Sequence, residues 1–385
     1  MADPAPATSA THVEGHPHVV IIGAGFAGLA AASELGGTPV NVTLIDRRNY
    51  HLFVPLLYQV ASAALSPADI AEPIRRILSR HSNIEVMLGE VAGIDKQART
   101  VALADGTAVA YDRLIVATGS THSYFGHDEW AQHAPGLKTI EDARQIRARV
   151  LMAFEQAEIC RNKVEQQDLI TTVVVGAGPT GVEMAGAIAE LSRHTLARDF
   201  RNIRPETARV LLVEAGPRVL PAFPPELSDY AHKALEKLGV TVMVKTPVED
   251  VTAEGVTLGG RFVRAGTVIW GAGVRASPAG SWLGVDTDKA GRVKVGPDLT
   301  VPGHPDIFVL GDTALAMHDD GSPLPGLAQV AKQCRAMGTS ATGAWTFMSI
   351  RSSGKPGAST RGWFSTRWTI SMESSILTGC RISAC

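Results

Sequence analysis

Two glycine repeats in this 385-residue chain have the residue types and the spacing that bind phosphate groups. In the first repeat, an apolar stretch leads into Gly23, Gly25 and Gly28, and an alanine-rich stretch follows. Such glycines allow a tight turn, a close approach of the backbone to pyrophosphate, and close packing of a helix on a strand. The helix start adds free N–H groups and about half a positive charge. We therefore predict a dinucleotide site here, although a glycine turn in another α/β domain has the same spacing.

The same pattern returns 153 positions later, at Gly176, Gly178 and Gly181. The apolar run "TTVVV" precedes it, and the stretch that follows has the composition of a helix. Pro179 suits the opening of that helix, where no N–H donor is needed. A chain with two such repeats is predicted to bind two dinucleotides.

An acidic residue ends the strand that follows each repeat. "VNVTLID" ends in Asp46, 18 residues after Gly28, and "RVLLVEAG" contains Glu214. Such a carboxylate accepts hydrogen bonds from an adenosine ribose. At Glu214 it would also oppose a 2′-phosphate, by about 4 kcal/mol per unit charge at about 4 Å and an effective dielectric near 20. We therefore predict that the second site prefers NADH to NADPH, with Arg218 close enough to soften the preference.

Two further strands run into turns of small residues. "AYDRLIVATGS" leads into Thr118 and Gly119, and "HPDIFVLGDTALA" leads into Gly311 and Asp312, where a helix is predicted to start. Asp312 could simply cap that helix. It could also hydrogen-bond a ribityl hydroxyl while the helix start faces pyrophosphate. The position of this turn after two glycine repeats favours the flavin interpretation.

The order of these stretches, with "VIWGAGV" between them, resembles that of the two-dinucleotide-binding flavoproteins, in which an NADH domain is inserted in a flavin domain. Within that superfamily, "RRNYHLFVPLLYQVASAALSP", "GPTGVEMAGAIAEL" and "LPGLAQVAKQ" resemble the type II NADH dehydrogenases, which are single-subunit NADH:quinone oxidoreductases. The resemblance implies FAD at the first repeat and NADH at the second. The activity that it implies is a non-electrogenic, two-electron reduction of a quinone.

The resemblance also implies that three residues outside the glycine repeats bind substrates. Gln329 and Gln333 lie four apart on one predicted helix face, where their amides could donate to the carbonyl oxygens of a quinone in an apolar slot. Without that context, two such glutamines usually form a solvated surface. Glu183 either holds the nicotinamide carboxamide or ribose, or is an acid that the helix dipole favours.

The four cysteines have neither metal-ligand spacing nor a CxxC pair, and no metal site is predicted. Residues 46–151 contain no cysteine, which excludes the flavin-adjacent dithiol of disulfide reductases. Sulfide:quinone oxidoreductases use separated cysteines, and the pair Cys160 and Cys334 is compatible with that class. Cys160, however, lies in an amphipathic helical pattern, where a lone cysteine usually packs inside. Because hydride transfer is the cofactors' own chemistry, we predict positioning residues and no general acid or base.

These elements predict an α/β fold with two Rossmann-like dinucleotide-binding domains. The FAD domain comprises residues 17–136 and 274–340, and the NADH domain, residues 137–273, is inserted in it. Residues 1–16 are interpreted as a disordered extension, and residues 341–385 as an atypical disordered tail.

Composition excludes several classes of partner. The chain is 45% hydrophobic with a formal charge of -2, so it is globular and has no electrostatic footprint for nucleic acid. Its start resembles no signal peptide, which predicts a cytoplasmic location. No apolar run reaches the roughly 18 to 20 residues that span a bilayer, so any contact with the inner face of the cell membrane would be peripheral. A homodimer also fits the resemblance.

The composition changes abruptly at Cys334. Residues 334–385 contain one acidic residue, Glu373, against 37 in the preceding 333 positions, and Ser and Thr make up 17 of the 52. A translational frame change, a disordered tail and a divergent membrane anchor all fit this change. Two alternative functions stay open: an NADH-binding flavoprotein that acts as a redox sensor or scaffold, and a C-terminally damaged enzyme with diaphorase activity only.

Overall fold

A six-stranded sheet carries the first glycine repeat. The computed structural model describes residues 13–317 and the backbone of two short paired strands, Met337–Thr339 and Trp345–Phe347. The strands of the first sheet lie in the order Thr300–Val301, His304–Val309, Arg113–Val116, His18–Ile22, Asn41–Asp46 and Ile84–Leu88. All neighbours are parallel except the first two, which are antiparallel.

A second sheet of four parallel strands carries the second repeat. Its strands lie in the order Val240–Met243, Arg209–Val213, Thr171–Val175 and Thr267–Trp270. All four fall between two segments of the first sheet, which resumes at Thr300. The predicted α/β class, with one Rossmann-like unit inserted in a discontinuous one, is therefore confirmed.

The central strands are continuous apolar runs because both of their faces are covered. Val19, Val20 and Ile21 have no accessible surface, and all five residues of Thr171–Val175 are buried. Strands that are buried on both sides lose the alternation of apolar and polar residues, which is typical of parallel sheets. The continuous runs seen in the sequence therefore mark the two sheet centres.

Smaller sheets and helices surround these two sheets. Two antiparallel sheets have three strands each: Val91–Asp95, Thr100–Leu103 and Ala108–Ala110, and Val248–Thr252, Gly255–Leu258 and Arg261–Arg264. Three pairs of short strands complete the described β-structure: Tyr50–Leu52 with Ala71–Pro73, Ser120–His122 with Val274–Ala276, and Val293–Lys294 with Ala314–Leu315. The α-helices are Phe26–Leu35, Leu57–Ala61, Ile74–Ile77, Ile140–Ile159, Lys163–Leu169, Pro179–Glu190, Pro225–Lys237 and Ala279–Leu283.

The structure differs from the sequence interpretation at the start of the chain. The Val13 N–H donates to the side-chain oxygen of Asn41 at 2.8 Å, and the Asn41 amide donates to the carbonyl oxygens of Val13 and His16. Val13 and His16, in the last part of the predicted extension, are thus hydrogen-bonded to a strand of the first sheet. Residues 1–12 lie outside the described residues, as does most of the predicted tail at 341–385.

Candidate functional site

The first glycine loop, residues 23–28, connects the strand His18–Ile22 to the helix Phe26–Leu35. Gly23 has φ +99°, and a Cβ added to it would overlap the carbonyl oxygen of Ala117. A Cβ at Gly28 would overlap the carbonyl oxygen of Gly23. A Cβ at Gly25 would meet no atom within 4 Å, so the backbone at the helix start borders open space. This open space beside free N–H groups fits a pyrophosphate.

The second glycine loop, residues 176–181, repeats this geometry. Gly176 has φ +93°, and a Cβ there would lie 2.6 Å from the Ala272 backbone. A Cβ at Gly181 would overlap the carbonyl oxygen of Gly176, whereas one at Gly178 would meet no atom within 4 Å. Both loops therefore have the shape of a dinucleotide cradle, with tightly packed outer glycines and an open central one.

Each predicted ribose-binding carboxylate lies against its own loop. Asp46 accepts the Ala24 N–H at 2.6 Å and the Arg48 N–H at 2.8 Å, one on each oxygen. Glu214 accepts two N–H groups in the same way, from Ala177 and Gly216, both at 2.7 Å. Each oxygen has a second lone pair, so both carboxylates can still accept a ribose hydroxyl.

A cluster of hydroxyl groups joins the strand ends that carry Gly119 and Asp312. Thr118 Oγ1 lies 2.5 Å from Ser277 Oγ and 3.3 Å from Thr313 Oγ1. The Thr313 hydroxyl donates to the Gly119 carbonyl oxygen at 3.2 Å. Gly119 and Gly311 have φ angles of +69° and +66°, which favour glycine at these two turns. The structure therefore brings the predicted residues Thr118, Gly119, Gly311 and Asp312 together at one edge of the first sheet.

The predicted helix start at Asp312 is wrong. Gly311–Thr313 is a single 3-10 turn, and the chain continues as the short strand Ala314–Leu315. That strand pairs with Val293–Lys294, so tertiary pairing overrides the local capping pattern. Asp312 instead accepts a 2.9 Å hydrogen bond from the Ser120 hydroxyl, a contact that sequence reasoning missed.

Glu183 lies in the first turns of the helix Pro179–Glu190, beside the second glycine loop. Its carboxyl group has no hydrogen-bond or ion-pair partner among residues 13–317. Burial raises the pKa of Glu183 from 4.5 to about 8. Near neutral pH this group is therefore mostly protonated and can both donate and accept a hydrogen bond.

The sequence predicted that Cys160 packs inside an amphipathic helix, and this prediction is wrong. The helix Ile140–Ile159 ends one residue before it, and Cys160 is half-buried with its thiol 3.6 Å from the Asn162 carbonyl oxygen.

Within residues 13–317, no group of three or more His, Cys, Asp or Glu side chains could hold a metal ion. In that same part of the chain, every helix is too short or too polar to traverse a lipid bilayer. Gln329 and Gln333 lie outside the described residues.

Comparisons with known proteins agree with this geometry. Residues 17–334 match the family model described as pyridine nucleotide-disulphide oxidoreductase. The chain is 48% identical over 334 residues to NdhA of Mycobacterium tuberculosis, a type II NADH:quinone oxidoreductase; the match covers 83% of this chain and 70% of that protein. A type II NADH:quinone oxidoreductase of Staphylococcus haemolyticus is 33% identical, over 82% of this chain and 79% of that protein.

Solved structures show the same fold. NDH2 from Plasmodium falciparum, in complex with NADH, superposes with a TM-score of 0.71 at 24% identity. The match covers 77% of this chain and 64% of that one, so the present chain spans somewhat under two thirds of its length.

Proposed function

This chain belongs to the pyridine nucleotide-disulphide oxidoreductase family, among its type II NADH:quinone oxidoreductases, and we propose that it passes electrons from NADH through FAD to a quinone. The proposal rests on one observation. A glycine loop that borders open space, with a carboxylate that accepts an N–H group from the loop, occurs twice in the chain. It provides two dinucleotide sites.

FAD is assigned to the first glycine loop, with Gly23, Gly25, Gly28 and Asp46 at its adenosine and diphosphate end. The same sheet edge carries a second set of residues for the ribityl end of the cofactor: Thr118, Gly119, Gly311 and Asp312. Support comes from the sheet order, which places His304–Val309 two strands from His18–Ile22 with only Arg113–Val116 between them. Ligands of open parallel sheets bind outside these carboxyl ends.

NADH is assigned to the second glycine loop, with Gly176, Gly178, Gly181 and Glu214. The carboxylate of Glu214 accepts a ribose hydroxyl and repels a 2′-phosphate, which favours NADH over NADPH. Domain boundaries at 136/137 and 273/274, with the FAD domain resuming through residue 340, are part of this proposal.

FAD held at the first glycine loop would supply the redox chemistry, which is hydride transfer from NADH and two-electron reduction of the quinone without proton pumping. The protein residues bind and orient. Glu183 is proposed to hold the nicotinamide carboxamide or ribose, because a mostly protonated, otherwise unpartnered carboxyl group can pair with either. Gln329 and Gln333 are proposed to donate to the quinone carbonyl oxygens.

Two finer points are proposed from the family resemblance alone. One is peripheral contact with the inner face of the cell membrane, where a quinone would be dissolved. The other is a homodimer.

The test is NADH oxidation by purified, FAD-reconstituted protein, with a short-chain quinone analogue as acceptor and ferricyanide as control. Rapid reduction of both acceptors supports the proposal. Reduction of ferricyanide alone would leave a diaphorase and contradict the quinone assignment. Slow turnover with a long-lived charge-transfer band would favour a redox-sensing flavoprotein, an alternative that the 48% identity to NdhA does not favour.

A further inference from the structure

The hydroxyl group of Ser120 links Lys138 to Asp312, the aspartate that is assigned to FAD. Lys138 Nζ lies 3.2 Å from Ser120 Oγ, which lies 2.9 Å from Asp312 Oδ2. An ammonium group only donates and a carboxylate only accepts, so the Ser120 hydroxyl accepts from Lys138 and donates to Asp312. The three side chains form one directed chain of hydrogen bonds.

This chain of hydrogen bonds lies at the edge of the first sheet where FAD is assigned. Ser120 follows the strand Arg113–Val116, and Asp312 follows its neighbour His304–Val309. The backbone of Lys138 is also fixed, because its N–H donates to Asp142 Oδ2 at 2.9 Å in the cap of the helix Ile140–Ile159. The backbone contact and the hydrogen bond to Ser120 together hold the ammonium beside Asp312, at this end of the first sheet.

The Lys138 ammonium lacks a direct anionic partner. Ser120 is its sole hydrogen-bond partner among residues 13–317, so two of its donors are free within that part of the chain. Burial lowers the pKa of Lys138, and the charge of Asp312 opposes that change. A half-buried cation is stabilised by an anion close to it. Asp312 Oδ1 is likewise unpartnered among the described residues.

We propose that Lys138 is a positioning residue for FAD, whose ammonium compensates the negative charge that the FAD diphosphate and Asp312 bring to one sheet edge. Its hydrogen bond also holds Ser120 against Asp312 Oδ2, which leaves Asp312 Oδ1 for a ribityl hydroxyl. Without this cation, the diphosphate would approach a carboxylate of the same sign uncompensated, and FAD binding would weaken. The inference rests on the FAD assignment made above.

The test is a titration of FAD into protein from which FAD has been removed, followed by FAD fluorescence. Lys138→Met is expected to raise the Kd for FAD about tenfold or more, the range of a hydrogen bond to a charged group. Lys138→Arg keeps the charge and should stay within about threefold. Lys233→Met, at an exposed lysine of the helix Pro225–Lys237, serves as the matched control and should change nothing.

Ionic strength separates a charge effect from lost packing. Salt screens charges, so the ratio of Kd values between Lys138→Met and the wild type should shrink at high ionic strength. Equal weakening of FAD binding in Lys138→Met and Lys138→Arg would overturn the electrostatic role, because the arginine keeps the charge. NAD⁺ titrations of the same samples report on the second glycine loop and should give unchanged affinities.

The titrations distinguish a failure of the FAD assignment from a failure of the proposal for Lys138. Wild-type protein that binds no FAD would overturn the FAD assignment itself. Wild-type protein that binds FAD no more tightly than Lys138→Met, at low ionic strength, would overturn the proposal for Lys138. If Lys138→Met does not fold, Ser120→Ala decides: weaker FAD binding supports the hydrogen-bonded chain, and an unchanged Kd refutes it.

Discussion

Glu214 Oε2 accepts a 2.7 Å hydrogen bond from the Ala177 N–H, inside the second glycine loop. Asp46 makes the same contact with Ala24, at 2.6 Å, in the first loop. Each carboxylate thus fixes the shape of its loop before a ribose arrives, which lowers the ordering cost of binding. Changes at these two residues should therefore affect loop and ligand together.

Glu214→Gln should lower discrimination between the two nicotinamide nucleotides. The amide carries no charge to repel a 2′-phosphate, and only one of its two ends can accept an N–H. We expect kcat/KM for NADH to fall about tenfold and the NADPH/NADH ratio of kcat/KM to rise by at least as much. Ferricyanide reduction measures both. Glu206→Gln, at an acid whose partner is the nearby Arg204, is the control; an unchanged ratio in Glu214→Gln would contradict the assignment.

Two alanine substitutions in the first glycine loop should separate folding from cofactor binding. At Gly28 the new Cβ overlaps the Gly23 carbonyl oxygen, so we expect a loss of about 1–3 kcal/mol in the free energy of unfolding. At Gly25 the Cβ enters open space, so stability should hold while the Kd for FAD rises about tenfold or more. Urea unfolding of the FAD-free protein and FAD titration measure the two effects. Equal stability losses would refute the distinction.

Gly178→Ala should weaken NADH binding, as Gly25→Ala is expected to weaken FAD binding. Its Cβ also enters open space, beside the second glycine loop. We expect the KM for NADH to rise about tenfold while FAD content stays that of the wild type. Loss of FAD from this variant would reverse the assignment of the two loops.

Stability should fall with rising pH because of Glu183. The pKa of its carboxyl is about 8 in the folded protein against an ordinary value of 4.5. Between these pH values the unfolded chain has lost the proton and the folded one still holds it, so the free energy of unfolding decreases as pH rises through that window. Glu183→Gln removes this contribution. Urea unfolding of FAD-free protein across the window, with Glu155→Gln as an exposed control, should show a flatter profile for Glu183→Gln alone; parallel profiles would contradict the shift.

Gln329→Ala combined with Gln333→Ala tests the quinone assignment. The loss of two amide donors should reduce quinone reduction by about tenfold or more. Ferricyanide reduction should not change, because that acceptor needs no amide-lined slot. Equal loss with both acceptors would mean that the glutamines support the fold or the flavin, and not the quinone.

The local parts of the site follow from the sequence, because short spacings encode them. Gly23, Gly25 and Gly28 lie within six residues, and Asp46 ends the next strand, so strand, loop and carboxylate could be predicted together. The second loop follows in the same way. The central strands of both sheets, such as His18–Ile22 and Thr171–Val175, were also visible as apolar stretches, whereas the outer strands Ile84–Leu88, Thr300–Val301 and Val240–Met243 were not predicted.

Contacts between distant segments could not be predicted in this way. Ser120 and Asp312 lie 192 residues apart, and they meet because His304–Val309 pairs with Arg113–Val116. No spacing rule places Lys138 in that contact. The strand Ala314–Leu315 was likewise missed, since its partner lies in another segment and the local pattern favours a helix. Thus the sequence specified the two loops, and the order of the strands decided which side chains meet beside them.

The interrupted first sheet implies an order of maturation during synthesis. All strands of the second sheet are complete once Trp270 has been made. In the first sheet, Arg113–Val116 lacks one of its two neighbouring strands until His304–Val309 has been made. Domains generally fold as units from the N-terminus while the chain elongates. Until the late strand emerges, Arg113–Val116 is an open edge that can pair with other chains. The nascent protein should therefore complete its second sheet first, and flavin binding, which needs Asp312 after the late strand, should be among its last steps.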